Sequence, residues 1–114
     1  MISHIVLFRP RASLTAGEQQ EILQAVSTVV GRCPSVRSCR IGRRVRHGLP
    51  GYEQAMRESF EYALVLDFDD LDGLRAYLTH PDHVRLGEAF TSAADASLAY
   101  DYEVRGIDEI NRQQ

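Results

Sequence analysis

The opening segment Ile2-Ser3-His4-Ile5-Val6-Leu7-Phe8 is apolar on both faces of a strand, and this constrains the fold more than any other feature. Successive strand residues point to opposite sides, so Ile2, His4, Val6 and Phe8 share one face and Ser3, Ile5 and Leu7 the other. Such a strand needs cover above and below. A sheet with one face in water does not provide it. At 114 residues there is room for one domain with a real core and little more. We read that domain as residues 1–106, with 107–114 as a polar tail that frays.

The other segments follow in a regular order. Thr15 suits a helix N-cap, and Glu18 three residues on completes a capping box. Ile22, Leu23, Val26, Val29 and Val30 then recur at helical spacing to about Arg32, before Pro34 closes the helix. Residues 36–46 read as a second strand, polar enough for an edge and interrupted by Gly42. Residues 47–59 form a loop with a single helical turn from Tyr52. Phe60 to Phe68 alternates as a third strand, with Phe60, Tyr62, Leu64, Leu66 and Phe68 on one face. A helix over 70–79 stops before Pro81, a second runs from Pro81 to about Ala93, and Ser97 to Val104 is the last strand.

This order predicts an α+β fold, the ferredoxin-like β-α-β-β-α-β arrangement with an antiparallel sheet. The helices cover one sheet face. The other carries Ile5, Leu7, Ala63, Val65, Leu98, Tyr100 and Tyr102, a patch too apolar for water. The simplest cover is an identical subunit on a two-fold axis, so the expected partner is the chain itself, as a homodimer through the sheet face.

Composition removes several function classes. No apolar run approaches the roughly 20 residues that span a bilayer, so no membrane partner is expected. No basic n-region precedes the first strand, and a cytoplasmic location is expected. All 13 basic residues are arginine, and Arg32, Arg37, Arg40, Arg43, Arg44 and Arg46 crowd one stretch. With no stacking aromatics among them and a net charge of −3, nucleic acid is not expected as a partner. The arginines are read as facing acidic strands of the same fold or of the partner chain, with Arg40, Arg43 or Arg44 meeting Asp101 or Glu103 across the dimer. Cys33 and Cys39 show neither a CxxC nor a zinc spacing and are read as free thiols.

One constellation looks like chemistry: Tyr77-Leu78-Thr79-His80-Pro81-Asp82-His83. Proline bars the preceding helix from continuing and suits the first turn of a new one, so His80 takes the N-cap and His83 falls in the first turn. Free backbone N–H groups and the positive helix end there favour a neutral imidazole, the form a general base needs. His83 is then the candidate base, Tyr77 a hydrogen-bond donor to a developing oxyanion, and His4 a third site group. The candidate pocket wall comprises Val6, Phe8, Tyr62, Leu64, Leu66, His80 and Phe90. Plainer readings stand beside these: His80 as a cap alone, His4 as a core histidine, Tyr77 as core packing, His83 as an exposed first-turn residue. No carboxylate pattern completes a metal site around the histidines, and neither metal nor cofactor is expected.

The segments His4-Ile5-Val6-Leu7-Phe8, Phe60-Glu61-Tyr62-Ala63-Leu64, Tyr77 through His83, and Tyr100-Asp101-Tyr102-Glu103 resemble the stress-responsive A/B barrel domain (Dabb) family, over residues 1 to about 105. The resemblance implies a homodimeric α+β barrel, two ferredoxin-like sheets meeting face to face. A plant polyketide cyclase of that family closes a ring without cofactor or metal. By that resemblance Tyr77 and His83 are catalytic, His4 lies in the pocket, and Ile22, Leu23, Val26, Cys39 and Leu64 form an alkyl-binding wall. Tyr62 stands where that cyclase has a further pocket histidine. The function expected is acid/base catalysis of cyclase or isomerase type on a hydrophobic carbonyl compound. The alternatives are a non-catalytic ligand-binding or accessory dimer and a monooxygenase-like dimer. Tyr100, Asp101 and Tyr102 are assigned to the barrel interface.

Overall fold

The structure, a computed structural model, describes residues 1–113. Its elements are β1 (Ile2–Pro10), α1 (Ala16–Arg32), β2 (Val36–Arg43), β3 (Tyr62–Phe68), α2 (Leu71–Leu78), α3 (Pro81–Ala93), β4 (Ala94–Glu103) and α4 (Ile107–Gln113). All strand pairs are antiparallel, in the order β2-β3-β1-β4. This is the expected ferredoxin-like arrangement, with the doubly apolar β1 in the middle of the sheet.

Local chemistry sets the boundaries. The Thr15 side chain accepts from the Glu18 N–H, and Glu18 returns the bond to the Thr15 N–H, which closes the predicted capping box. Asp70 caps α2 by accepting from the Gly73 N–H at 2.8 Å. The long β2–β3 connection holds a single short 3-10 turn, Glu53–Ala55, within the stretch expected to form one helical turn. Gly48 and Gly51 bend it at φ 74° and 85°, conformations that side chains with a Cβ resist.

Several boundaries differ from the sequence reading, and β3 begins at Tyr62 instead of Phe60. β2 ends at Arg43, because the backbone leaves the sheet after one further bond from the Arg44 N–H to the Glu61 carbonyl. β4 begins at Ala94, because the end of β1 remains available to pair with it as far as Pro10. The residues after Gly106 are a short helix, α4, instead of a frayed tail, with the Glu109 and Ile110 N–H groups turning back to the Gly106 carbonyl. Gln114, the end of the predicted tail, lies outside the described residues.

The core lies between the sheet and its helices. Val26 and Val29 of α1, Leu74 and Tyr77 of α2, and Leu86 of α3 pack on Leu64, Leu66 and Phe68 of β3. A smaller cluster joins Phe8, Leu14 and Ala93. On the opposite face, Ile5 registers with Val65 and Tyr100, and Leu7 with Ala63 and Leu98. Leu98, Tyr100 and Tyr102 stand exposed there. One corner of this face is polar: Asp67 accepts from Ser3 at 2.6 Å and Ser38 at 2.7 Å, beside Arg40. These bonds hold the Asp67 carboxyl below the usual carboxylate range.

The arginine strand finds its acids within the chain. Arg37 pairs with Asp69, Arg40 with Asp67 and Arg46 with Glu61. The expected meeting with Asp101 or Glu103 across a dimer does not fit the register. Those residues lie opposite His4 and Ile2, on the helix side of the sheet, and Glu103 is already paired with Arg105. Cys33 and Cys39 are free thiols, Cys33 buried and Cys39 partly so.

Leu66 is fully buried, whereas Leu23 is 40% exposed. Truncating Leu66 to Ala should cost about 2–5 kcal/mol in urea unfolding, and truncating Leu23 less than about 1 kcal/mol. Equal losses would place the core elsewhere.

Candidate active site

The site begins with a broken helix. In a continuous helix the Leu78 carbonyl would accept the N–H four residues on, that of Asp82. Pro81 interrupts the path, and the Asp82 N–H donates instead to the His80 ring at 3.1 Å, which makes His80 the N-cap of α3. The Leu78 carbonyl takes up a side chain, His83 Nδ1, at 3.2 Å. A carbonyl can only accept, so Nδ1 carries the proton and the neutral ring keeps a bare lone pair on Nε2.

Two other rings converge on that of His83, and a carboxylate holds one of them. Tyr77, one residue before the freed carbonyl and 2% exposed, has its ring 4.6 Å from that of His83. His4 projects from β1 with its ring 5.9 Å from Tyr77 and 6.4 Å from His83. The β1–β4 register sets Asp101 beside His4, and His4 Nδ1 donates to Asp101 Oδ1 at 2.6 Å. Among the described residues no sealed side-chain nitrogen or oxygen lacks a partner, and no protein group bonds the Tyr77 hydroxyl. The Tyr77 side chain itself is fully buried.

Burial controls the electrostatics. It pushes the His83 imidazole below its usual 6.5; the bond to the Leu78 carbonyl partly opposes this, and the nearby His4 adds to it. The sequence reading assigned this bias to the helix terminus, whereas the main cause is desolvation. Burial also pushes the Tyr77 phenol above its usual 10, which keeps it protonated as a donor. A bare imidazole nitrogen and a protonated phenol suit proton abstraction and oxyanion stabilisation respectively.

These groups line a cavity of about 340 Å³. Val6, Leu64, Leu78, Leu86, Phe90 and Ala99 supply apolar wall, and Gly87, Thr91 and Ser97 complete it. Of the residues expected at the site, His4, Val6, Leu64, Tyr77, His83 and Phe90 line this cavity. The others do not. Phe8, Ile22, Leu23 and Tyr62 border a separate hollow of about 30 Å³, because Phe8 and Tyr62 lie at the far end of their strands beside the start of α1. Leu23, Val26 and Cys39 line a groove of about 390 Å³ between α1 and the β2–β3 edge, with Leu64 bordering both this groove and the cavity. Leu66 is sealed in the core, and the His80 ring is occupied as a cap.

Asp101 is the functional candidate that the sequence reading missed. Strand alternation held the signal: Tyr100 and Tyr102 on the open face force Asp101 onto the helix face, level with His4. Volume does not mark the site, since an open groove between α1 and α3 reaches about 400 Å³. The convergent titratable groups do. Among the described residues, no three His, Cys, Asp or Glu side chains gather as a metal would require. No helix among them is long and apolar enough to cross a membrane.

Residues 2–104 match the family model described as the stress responsive A/B barrel domain. A stress-response A/B barrel domain-containing protein of Arabidopsis thaliana is 28% identical over 88 residues, 76% of this chain and 74% of that protein. Olivetolic acid cyclase of Cannabis sativa is 19% identical over 104 residues, 91% of this chain and 97% of the cyclase. Among solved structures, a dimeric ferredoxin-like protein of unknown function from Thermobifida fusca superposes with a TM-score of 0.71 at 25% identity, over 90% of both chains.

The bond to Leu78 predicts that nitrogen-detected NMR above pH 7.5 will show His83 protonated on Nδ1 and bare on Nε2; the opposite tautomer would contradict the assignment. The lowered pKa predicts a pH effect on stability. The unfolded chain binds the His83 proton more readily, so this contribution is complete above 6.5 and is lost as pH falls through 6.5 toward the lower folded value. His83→Gln should flatten the fall of melting temperature across that window.

Proposed function

Because the chain belongs to the stress-responsive A/B barrel domain family, we propose that it is a homodimer that binds a small apolar carbonyl compound and moves a proton on it without a cofactor. The observation that carries the proposal is the His83–Leu78 bond, which leaves Nε2 of a desolvated imidazole without a proton on a residue that lines the cavity, beside Tyr77. The volume, near 340 Å³, falls in the range of small-molecule sites.

The ligand's carbonyl oxygen accepts from the Tyr77 hydroxyl, which lowers the cost of negative charge on that oxygen. His83 Nε2 removes a proton from the carbon next to the carbonyl, and the C–H electron pair forms the C=C bond of an enolate. The imidazolium then returns the proton to a different carbon, an isomerisation. In a ligand with a second carbonyl, the enolate carbon attacks that group and the proton goes to the new alkoxide, a ring closure. His4, oriented by Asp101, is the second imidazole in reach of the ligand and a candidate relay for that returning proton. The matching cyclase, whose name states a ring closure, supports this class of chemistry.

The dimer reading rests on the apolar sheet face and on the dimeric Thermobifida fusca relative. A second copy covering Ile5, Leu7, Val65, Leu98 and Tyr100 would remove from water the patch that monomers avoid exposing.

Proton abstraction is tested by incubating a panel of aryl methyl ketones with the protein in D₂O and following deuterium uptake at the methyl carbon. His83→Ala should reduce the enzyme-dependent rate by about 100-fold or more, and Tyr77→Phe by at least about 10-fold. Ketone binding without exchange would favour a non-catalytic ligand-binding dimer. Val65→Asp should convert the dimer to monomer in sedimentation; a persistent dimer would mean that this face is not the interface.

A further inference from the structure

We infer that the cavity is selective for an uncharged ligand and turns away carboxylates, and that Asp101 is the residue that imposes this choice. The inference rests on the reading of the cavity as a binding site and adds the charge class of its ligand.

The charge inventory of the lining is short. The chain carries 13 basic residues, all arginine, and none of them lines the cavity. Arg37, Arg40 and Arg46 are held by acids of β3 and of the residues flanking it. Asp101 is the one carboxylate in the lining, its side chain 39% exposed. His83 is biased to neutrality by burial, which outweighs the opposing bond to the Leu78 carbonyl. If His4 takes up a proton, the new charge lies 2.6 Å from Asp101 and is already paired. The lining is therefore negative or neutral overall, with no unpaired cation to offer an incoming anion.

A carboxylate entering here would give up its hydration with no charge partner and would face Asp101 as a like charge. Both effects oppose binding. A ketone or aldehyde carries no charge and loses far less on desolvation. An ammonium group gains little, because one oxygen of Asp101 is committed to His4 and the rest of the lining is mostly apolar.

The test compares three probes of one shape with the full-length protein at pH 8: 2-acetylnaphthalene, 2-naphthoate and 2-naphthylmethylammonium, followed by fluorescence titration. The ketone should bind at least about tenfold more tightly than naphthoate, an effect of the size expected for one like-charge contact in a partly screened site, and more tightly than the ammonium, which gives up its hydration to a mostly apolar lining. Asp101→Asn should bring naphthoate to within about threefold of the ketone by removing that contact. Ala99→Phe, which fills the cavity, should abolish ketone binding. Naphthoate or the ammonium probe binding wild-type protein as tightly as the ketone would overturn the charge selection and leave the cavity as a binding site. Failure of all three to bind the folded protein, or ketone binding that survives Ala99→Phe, would overturn the cavity reading and this inference with it.

Discussion

Much of the site depends on one carbonyl that has no backbone partner. Pro81 ends α2 and starts α3, and the Asp82 N–H that would have reached the Leu78 oxygen is taken by His80. The freed oxygen holds His83 Nδ1, which fixes the ring's orientation and its tautomer together. Helix ends must satisfy their leftover groups, and here that requirement produces a poised imidazole. Tyr77, in the last turn of α2, is delivered to the same place by the same break. A continuous helix through residues 71–93 would have left Leu78 its backbone bond and His83 no anchor.

The second constraint is the double apolar character of β1. As a central strand it carries His4 toward the helices on one face and Ile5 and Leu7 toward the open side on the other. Site and proposed interface are thus two sides of one strand, separated by a single residue of alternation. The same rule divides β4, where Asp101 joins the site and Tyr100 and Tyr102 join the exposed face. A substitution in either strand that slipped the register by one residue would exchange the two sets.

Much of the fold was legible because it is written in short-range patterns. Alternation over 60–68, the Thr15–Glu18 box, Pro34 and Pro81 gave the element order and the ferredoxin-like arrangement, and the family resemblance drawn from the same segments holds across residues 2–104. The site was legible in part. His4, Tyr77 and His83 do come together, whereas the alkyl wall assigned to Ile22, Leu23, Val26 and Cys39 lies on other hollows. The reason is Leu64, nearly buried, which stands between the cavity and the α1 groove; how one side chain divides two spaces is a matter of packing that no spacing encodes.

Sequence alone determined which residues alternate, where helices must start and stop, and that one sheet face would be left apolar, because these follow from backbone geometry over a few neighbouring residues. Tertiary structure decided the rest. The His4–Asp101 bond joins residues 97 positions apart, and only the strand register sets them level. The lowered pKa of His83 comes from desolvation by side chains of other elements, and so does the cavity itself. Burial and register are properties of how distant segments meet, and local sequence does not specify them.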